Sequence, residues 1–243
     1  MYQDKSFLAI IPARSGSKGL PNKNIKNLCG HPLMAWSIKA GLKSKYIDKV
    51  VVTTDSEEYA EIAKSYGAEA PFLRPKELSL DTSTTFDSIK HTIDFYQNEL
   101  QQTFDYIVLL EPTSPLREVE DIDNAIEILF SNQEASSIVG VCKSESQNPA
   151  FLIRLQPHSQ LIEGYINKDF TPIRRQDIED FYFFEGTIYV SEINALLKNQ
   201  NFYHKNAMGY IVPKWKSLDV DDEDDFLMVE TMMKKYILNT KEQ

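Results

Sequence analysis

The sequence is poor in the residues from which disulfide frameworks and zinc sites are built. Its two cysteines, Cys29 and Cys142, have no cysteine or histidine partner at zinc-finger spacing. The four histidines are scattered along the 243 residues without a ligand-like pair, and no Ser/His/Asp arrangement is recognisable. A disulfide framework, a zinc site and hydrolase chemistry are therefore not indicated, and we expect both cysteines to be reduced and structural.

Long apolar runs and an excess of positive charge are also missing. No apolar stretch approaches the ~18 residues of a transmembrane helix, and Phe7–Pro12 is too short for the apolar region of a signal peptide. The formal net charge of −10 and the pI near 5.0 oppose binding to nucleic acid or to an anionic membrane. We expect a cytoplasmic protein with neither nucleic-acid nor membrane partners, in which a local basic loop can still hold a small anion such as a nucleotide.

The sequence does contain a regular alternation of strand and helix patterns. Phe7–Pro12 is a short apolar run and Val50–Thr53 is β-branched, and each precedes a segment with helical apolar spacing. Asp55 is expected to cap the second of these helices. Further strands are predicted at Tyr106–Leu110, Ser137–Val141, Thr187–Val190 and Tyr210–Val212. The alternation predicts one α/β domain over residues 1–243, with a mostly parallel sheet and helices on both faces.

The alternation breaks between residues 143 and 185. Pro149, Pro157 and Pro172 interrupt alternating apolar residues, and an aromatic run follows at Phe181–Phe184. We interpret this segment as an inserted excursion of β-ribbon and loop. Its exposed aromatic residues would form a contact between subunits.

The loop after the first strand has the composition of a phosphate-binding loop. Residues 13–24 read ARSGSKGLPNKN, in which small residues let a phosphate approach the backbone and Arg14, Lys18 and Lys23 can neutralise its charge. The loop has neither the Walker A spacing nor the glycine triplet of dinucleotide-binding proteins. Ligands of open α/β sheets bind at the carboxyl ends of strands, which is where this loop lies.

A series of motifs resembles the acylneuraminate cytidylyltransferase family. The motifs are the basic loop, Arg74-Pro75 ahead of LDTS at residues 80–83, LLEPTSPLR at 109–117, Arg175-Gln176, and LDVD at 218–221. They span residues 10 to about 230, which is most of the chain. The resemblance implies a Rossmann-like α/β fold, CTP as the nucleotide, and an excursion that swaps into a partner subunit to form a homodimer.

The same resemblance implies roles for individual residues. Arg14 and Lys18 would hold the triphosphate, while Arg74 and Ser83 would lie near cytidine. The full nucleotide-binding set is Arg14, Ser15, Gly16, Ser17, Lys18, Asn24, Arg74 and Ser83. The sugar-binding set is Glu111, Thr113, Ser114, Arg175, Gln176 and Glu185.

Two aspartates near the C-terminus are candidate metal ligands. Asp219 and Asp221 alternate with Leu218 and Val220, so strand periodicity places the two carboxylates on one face. Two such oxygen ligands suit Mg²⁺, or Mn²⁺ in its place, bridging triphosphate oxygens. The acidic residues 222–225 are interpreted as first-turn residues that complement the dipole of the C-terminal helix.

These features together predict a nucleotidyltransferase. The enzyme would transfer CMP from CTP to the anomeric hydroxyl of a nonulosonic acid (sialic, legionaminic or related) and release pyrophosphate, with Arg14, Lys18, Asp219 and Asp221 as the catalytic set. No residue is a clear general base, so a metal-bound hydroxyl or one of the two aspartates would accept the proton. Two alternatives stay open: CTP-dependent activation of Kdo or an 8-amino-Kdo-like sugar, and a non-catalytic regulator that binds nucleotide sugars. A regulator should lack members of the catalytic set, and all four are present.

The chain departs from the family pattern at two positions that face the sugar. Glu111 stands where the family usually carries Gln, and Glu185 stands where it carries Asn. Burying a carboxylate without a counter-charge costs free energy, so we expect a cation to lie close to these two glutamates and offset their charge. The cation is either an arginine of the chain, Arg174 or Arg175, or an amino or amidino substituent on the sugar.

Overall fold

The computed structural model describes residues 1–144, 148–166, 174 and 178–239. The strands are β1 (Phe7–Pro12), β2 (Asn27–Leu28), β3 (His31–Pro32), β4 (Lys49–Thr53), β5 (Tyr106–Leu109), β6 (Ser137–Lys143), β7 (Ile153–Leu155), β8 (Ile162–Gly164), β9 (Tyr182–Glu192) and β10 (Ala207–Val212). The helices are α1 (Leu33–Lys43), α2 (Glu57–Ser65), α3 (Thr85–Asn98), α4 (Val119–Phe130), α5 (Ile193–Asn199) and α6 (Glu223–Met233). A π-helical turn, Lys234–Leu238, continues α6.

Six strands form the central sheet, in the order β10-β6-β9-β5-β1-β4. All neighbours pair in parallel except β9, which runs antiparallel to both β5 and β6. The predicted mostly parallel sheet is therefore confirmed. Strand β9 contains the predicted strand Thr187–Val190 but is longer, and its direction could not be read from an apolar run, because side-chain period does not depend on strand direction.

Helices cover both faces of the sheet because the central strands are apolar on both sides. In β1, Phe7, Ala9 and Ile11 point to the face covered by α1, α2 and α4, whereas Leu8 and Ile10 point to the face covered by α3 and α5. All five side chains are fully buried. Each large side chain buried in this way contributes roughly 1.5–3 kcal/mol of transfer free energy.

A third apolar cluster joins the first loop to the end of the chain. Val220, Phe226 and Val229 pack with Leu20 and Leu28, all of them buried. Helix α6 therefore fastens the segment that carries Asp219 and Asp221 against the loop that carries Arg14 and Lys18.

The segment between β6 and β9 leaves the sheet. Strands β7 and β8 form a separate antiparallel ribbon, with Ile153 opposite Gly164 and Leu155 opposite Ile162. The apolar side chains of Ile153, Leu155 and Ile162 are exposed. No helix in the described ranges is both long and apolar enough to cross a membrane.

Candidate functional site

A cleft of about 500 Å³ opens at the carboxyl ends of β1 and β5. Its walls come from the first loop, the segment before α3, the residues after β5, and the segment before α6. Residues of the predicted sets that line it are Arg14, Ser17, Lys18, Asn24, Arg74, Ser83, Glu111, Thr113 and Asp221. These residues come from distant parts of the sequence, and the sheet brings them together.

The basic residues of the first loop face acidic partners. Arg14 Nη1 lies 2.9 Å from Asp81 Oδ1, and the Lys18 ammonium pairs with the other oxygen of the same carboxylate. Lys23 is almost buried and donates from Nζ to the carbonyl oxygen of Val220 at 2.6 Å, with the carboxylate of Asp221 3.3 Å away. Three cations therefore converge on one side of the cleft.

Two hydrogen-bonding contacts set the shape of this loop. Asp55 accepts hydrogen bonds from the Ser15 amide at 2.8 Å and from its hydroxyl at 3.0 Å. The predicted role of Asp55 as a helix cap is wrong, because the hydroxyl of Ser56 accepts the hydrogen bond from the α2 backbone instead. Asn24 is buried and donates from Nδ2 to the carbonyl oxygen of Arg14 at 2.9 Å. Both contacts act on the backbone of the loop, while its Gly16 faces open space.

Arg74 is a buried cation on the wall of the cleft. Its side chain donates to Ser79 at 3.1 Å and to Ser88 at 2.6 Å, and burial lowers its pKa, while the nearby carboxylate of Asp55 opposes that shift. No carboxylate of the described chain lies within ion-pair distance of its guanidinium, and Nη2 makes no hydrogen bond there. A buried guanidinium with an unused donor can bind a polar ligand in the cleft.

Ser83 has a local structural role. Its hydroxyl accepts from the Leu80 amide at 3.1 Å and donates to the carbonyl oxygen of Glu77 at 2.9 Å. The cap of α3 is the next residue, Thr84, which forms a reciprocal capping box with Asp87. Ser83 therefore closes the turn that carries Asp81 into the cleft.

Val220, between Asp219 and Asp221, is buried, but residues 217–220 form no strand, so the common face that strand periodicity predicts for the two carboxylates stays a prediction. The Val220 amide donates to the carbonyl oxygen of Thr113 at 2.9 Å. Asp219 accepts a hydrogen bond from the Ser114 hydroxyl, and burial raises its pKa, with the negative charge of Asp221 adding to that effect. Thr113 and Ser114 thus fix the segment that carries the two aspartates, through its backbone at Val220 and the side chain of Asp219.

The donor set fits a magnesium ion that shares its coordination with a substrate. No group of three or more Asp, Glu, His or Cys side chains in the described ranges is arranged to hold a metal. Mg²⁺ is commonly held by one or two carboxylates, with water and substrate phosphates completing its six ligands. Asp219 and Asp221 supply two carboxylates beside a cleft whose lining also contains four cations, Arg14, Lys18, Lys23 and Arg74.

Strand β9 passes so close to this centre that only glycine fits at residue 186. A β-carbon there would lie 2.2 Å from Ser114 Oγ, 2.8 Å from Asp219 Oδ1 and 3.2 Å from Glu111 Oε2. Two predicted sugar-site residues and a predicted metal ligand therefore meet at one point.

The two glutamates of the predicted sugar site differ in their surroundings. Glu111 has no hydrogen-bond donor to its carboxylate within the described residues, and burial, helped by the charge of Asp219, raises its pKa to about 7. Glu185 is buried, and its Oε2 accepts from the Thr187 amide at 3.0 Å. Its Oε1 has no partner in the described part of the chain and points at the backbone of Gly140. Burial also raises the pKa of Glu185 to about 7.

Arg117 is a described cation whose charge acts on both glutamates. Its guanidinium is buried and donates to the carbonyl oxygens of Glu111, Gly186 and Thr187. Its positive charge opposes the raised pKa of both glutamates. Arg174 is exposed and Arg175 lies outside the described residues, so the expectation that one of them pairs with the acids stays a prediction, and Arg117, the last residue of the LLEPTSPLR motif, is a further cation that acts on both. The sequence signal for this role was the position of Arg117 at the end of a mostly apolar motif, and sequence reasoning did not identify Arg117 as a site residue.

A second cavity of about 230 Å³ adjoins the cleft. The two share Thr84, Thr85 and Glu111, and the second is lined further by Tyr189, Phe202 and Tyr203. Nothing in the sequence marked these three aromatic residues as site residues, because they read as ordinary core positions. Arg175 and Gln176, also predicted to bind the sugar, lie outside the described residues.

Known proteins resemble the chain along most of its length. A sequence model of the family described as Cytidylyltransferase matches residues 8–217. The chain is 38% identical over 230 residues to the N-acylneuraminate cytidylyltransferase of Escherichia coli, a match that covers 94% of this chain and 52% of that protein. The chain thus spans about half the length of this relative.

Two further comparisons concern a shorter relative and a solved structure. The CMP-N,N'-diacetyllegionaminic acid synthase of Legionella pneumophila is 32% identical over 228 residues, which are 93% of this chain and 96% of that protein. A CMP:2-keto-3-deoxy-manno-octonic acid synthetase complexed with CTP superposes with a TM-score of 0.69 at 15% identity, covering 96% of this chain and 100% of the other. The second likeness is one of fold. The family match and these identities establish that the chain belongs to the cytidylyltransferase family.

Proposed function

We propose that this protein transfers CMP from CTP to the anomeric hydroxyl of a nonulosonic acid and releases pyrophosphate. One observation carries the proposal: at the carboxyl ends of the strands, the cleft joins a basic loop to the carboxylate of Asp221, and Asp219, bonded to Ser114, lies two residues before it. Nucleotidyl transfer needs positioning and charge neutralisation more than covalent catalysis, and these groups provide both. The names of two relatives, which act on N-acylneuraminate and on diacetyllegionaminic acid, support the sugar class.

The nucleotide would occupy the cleft of about 500 Å³. Arg14 and Lys18 would bind the triphosphate, and the buried guanidinium of Arg74, with its unused donor, would meet the cytidine. Asn24 and Asp55 would position the loop without contacting the nucleotide themselves, because they bond the backbone at Arg14 and Ser15. These contacts hold the backbone of the loop in place before the substrate arrives, which limits the reorganisation needed in the transition state.

Mg²⁺ would be held by Asp219 and Asp221. When bound, it would neutralise charge on the triphosphate and help the pyrophosphate to leave. Ser114 and Thr113 keep the two carboxylates in place through Asp219 and Val220.

The sugar would occupy the adjoining cavity of about 230 Å³. Tyr189, Phe202 and Tyr203 give that cavity an aromatic wall suited to the apolar faces and acyl groups of a sugar. Glu111 belongs to both cavities and therefore lies where nucleotide and sugar would meet. Its unpartnered carboxylate would select a hydrogen-bond donor or a cationic substituent on the sugar.

The working form would be a homodimer in the cytoplasm, built as one nucleotidyltransferase domain with residues 143–185 as the inserted dimerisation element. The exposed apolar side chains of β7 and β8 support this assembly, because isolated apolar ribbons are seldom left in water. The net charge of −10 supports small anionic substrates in a local basic cleft rather than nucleic acid or a membrane.

The product identifies the reaction and separates it from its alternatives. The protein would be incubated with CTP, Mg²⁺ and, one at a time, N-acetylneuraminate, diacetyllegionaminate, Kdo and 8-amino-Kdo, and the CMP-sugar would be detected by mass. A CMP-nonulosonate is the expected product. Formation of CMP-Kdo alone would move the protein to the first alternative, and binding of nucleotide sugars without any product would make it a regulator.

A further inference from the structure

A carboxylate lies between the two cations that would receive the triphosphate. Asp81 places one oxygen 2.9 Å from Arg14 Nη1 and the other against the ammonium of Lys18. The hydrogen bond from Lys18, followed by that from Arg14, lowers the pKa of Asp81, so this carboxylate is ionised at neutral pH. In the absence of substrate, both cations are engaged by this one carboxylate, whose single charge offsets one of their two.

The segment that carries Asp81 is built to present it. Ser83 bonds Leu80 and Glu77 across the turn, which projects Asp81 into the cleft from the wall opposite the first loop. The carboxylate is not fixed by burial, because Asp81 is 44% exposed and Lys18 is 79% exposed. Ion pairs that are this exposed are weak, typically about 0.2–1 kcal/mol each, and exchange readily for a stronger partner.

A phosphate group entering the cleft competes with Asp81 for the same two cations. A triphosphate carries more charge and more oxygen atoms than a carboxylate, so it binds Arg and Lys more strongly. We propose that Asp81 is an internal competitor for the phosphate-binding cations, which holds Arg14 and Lys18 in the substrate-free protein and is displaced by an incoming polyphosphate. This inference rests on the proposed function, because it assigns the phosphates to Arg14 and Lys18.

The competition has a consequence at both ends of the reaction. Asp81 weakens the binding of a triphosphate, and by the same competition it speeds the departure of pyrophosphate, since the carboxylate recaptures the cations as the product leaves. Asp81 would also keep stray phosphate from occupying the basic loop.

The experiment measures polyphosphate binding without turnover. Wild type, Asp81→Asn and Asp94→Asn would be titrated calorimetrically with inorganic tripolyphosphate in EDTA at low ionic strength. Asp94 pairs with Lys90 on the exposed face of α3, about 14 Å along the helix from its start, so its variant makes the same change in net charge away from the cleft. A melting curve for each variant would check folding, which an exposed Asp→Asn change should leave intact.

We expect Asp81→Asn to bind tripolyphosphate roughly three- to tenfold more tightly than wild type, and Asp94→Asn to stay within twofold. Equal affinity of wild type and Asp81→Asn would overturn the inference, and so would absence of binding in both. Weaker binding by Asp81→Asn would do the same and would show that Asp81 helps to hold the ligand. Failure of the proposed function would be distinguished by a second measurement, pyrophosphate release from CTP. If Asp81→Asn binds tripolyphosphate more tightly but the wild type releases no pyrophosphate, Asp81 is still an internal competitor and the proposed reaction is wrong.

Discussion

Gly19 lies directly against the backbone of Asp221, so that a β-carbon at residue 19 would come within 2.5 Å of the Asp221 carbonyl oxygen. The first loop and the last extended segment of the domain thus touch without any intervening side chain. This contact sets the spacing between the cations of the loop and the carboxylates of the segment. The buried cluster formed by Leu20 and Val220 holds the two backbones together from below.

Replacing Gly19 by alanine should separate the two halves of the site. The added methyl group meets a backbone atom that cannot rotate away, so the loop or the aspartate segment must shift. A misplacement of about 1 Å commonly costs about 100-fold in rate, and we expect kcat/KM to fall by roughly 10- to 100-fold. Gln133→Ala, in an exposed turn outside the cleft, is the control. Equal losses in the two variants would show that the Gly19 contact has no special role.

The metal assignment is tested by Asp219→Ala and Asp221→Ala. Each removes one proposed ligand. We expect turnover to fall by more than roughly 100-fold, because loss of a group that stabilises transition-state charge commonly has an effect of this size. Asp224→Ala, in the exposed first turn of α6, removes an equal charge nearby and should retain activity. Calorimetric titration of Mn²⁺ in the presence of CTP should show loss of binding in the first two variants only. Near-wild-type activity of Asp221→Ala, or full activity of wild type in EDTA, would remove the assignment.

Glu111 should make stability depend on pH. Its pKa rises from 4.5 to about 7 on folding, so the unfolded chain loses this proton first, and the folded protein is progressively destabilised between these two values. Glu111→Gln removes the penalty. Relative to wild type in EDTA, we expect its free energy of unfolding to gain on the order of 1–3 kcal/mol at pH 8 and nothing at pH 4.5. Glu134→Gln, on the surface, serves as control, and a gain for Glu111→Gln that is equal at both pH values would refute the assignment.

Variants of Glu111 and Glu185 should differ in their effect on sugar specificity. Glu111 is open to the cleft without a partner, whereas Glu185 is bonded to Thr187 and lies near Arg117. We expect Glu111→Gln to lower kcat/KM for an amino-substituted sugar while sparing the N-acetyl analogue, and Glu185→Gln to reduce stability without changing the ratio between the two. Equal losses on charged and uncharged sugars in Glu111→Gln would mean that this carboxylate serves the protein's own cations.

Assembly is tested through the ribbon of β7 and β8. Ile153→Lys with Ile162→Lys places charge on its exposed apolar side chains and should convert a dimer to monomers by light scattering, whereas Leu42→Lys, an exposed apolar site on α1, should not. A mixture of Arg175→Ala and Asp221→Ala proteins should regain partial activity if subunits share sites. A fully active wild-type monomer at assay concentration would exclude the dimer.

The spacing of apolar residues predicted the strands and helices, but it did not predict the contacts between side chains within the site. Strand β1 begins and ends where its apolar run predicts, because both faces of a central strand are buried. The antiparallel direction of β9 and the proximity of Gly186 to Asp219 depend on pairing between distant segments, which no local pattern encodes. Asp55 illustrates the limit: its position suits a helix cap, yet the neighbouring serine takes that role and Asp55 bonds Ser15 across the sheet end.

The electrostatic interaction of Arg117 with two acids also depends on pairing between distant segments. Glu111, Arg117 and Glu185 were each visible in the sequence, but only the fold brings the guanidinium close enough for its charge to act on both carboxylates. The aromatic wall of the second cavity was hidden for another reason, since buried Tyr189 and Phe202 have the pattern of ordinary core residues.

The central claim is that CTP, a nonulosonic acid and Mg²⁺ react together in this cleft. Continuous measurement of pyrophosphate release tests it most directly, with each of the three components omitted in turn and with UTP or ATP in place of CTP. We expect release only when all three are present, with CTP strongly preferred, and loss of release in Asp221→Ala. Release that does not depend on any nonulosonic acid, or no release with the whole panel of sugars from a folded protein that binds CTP, would contradict it.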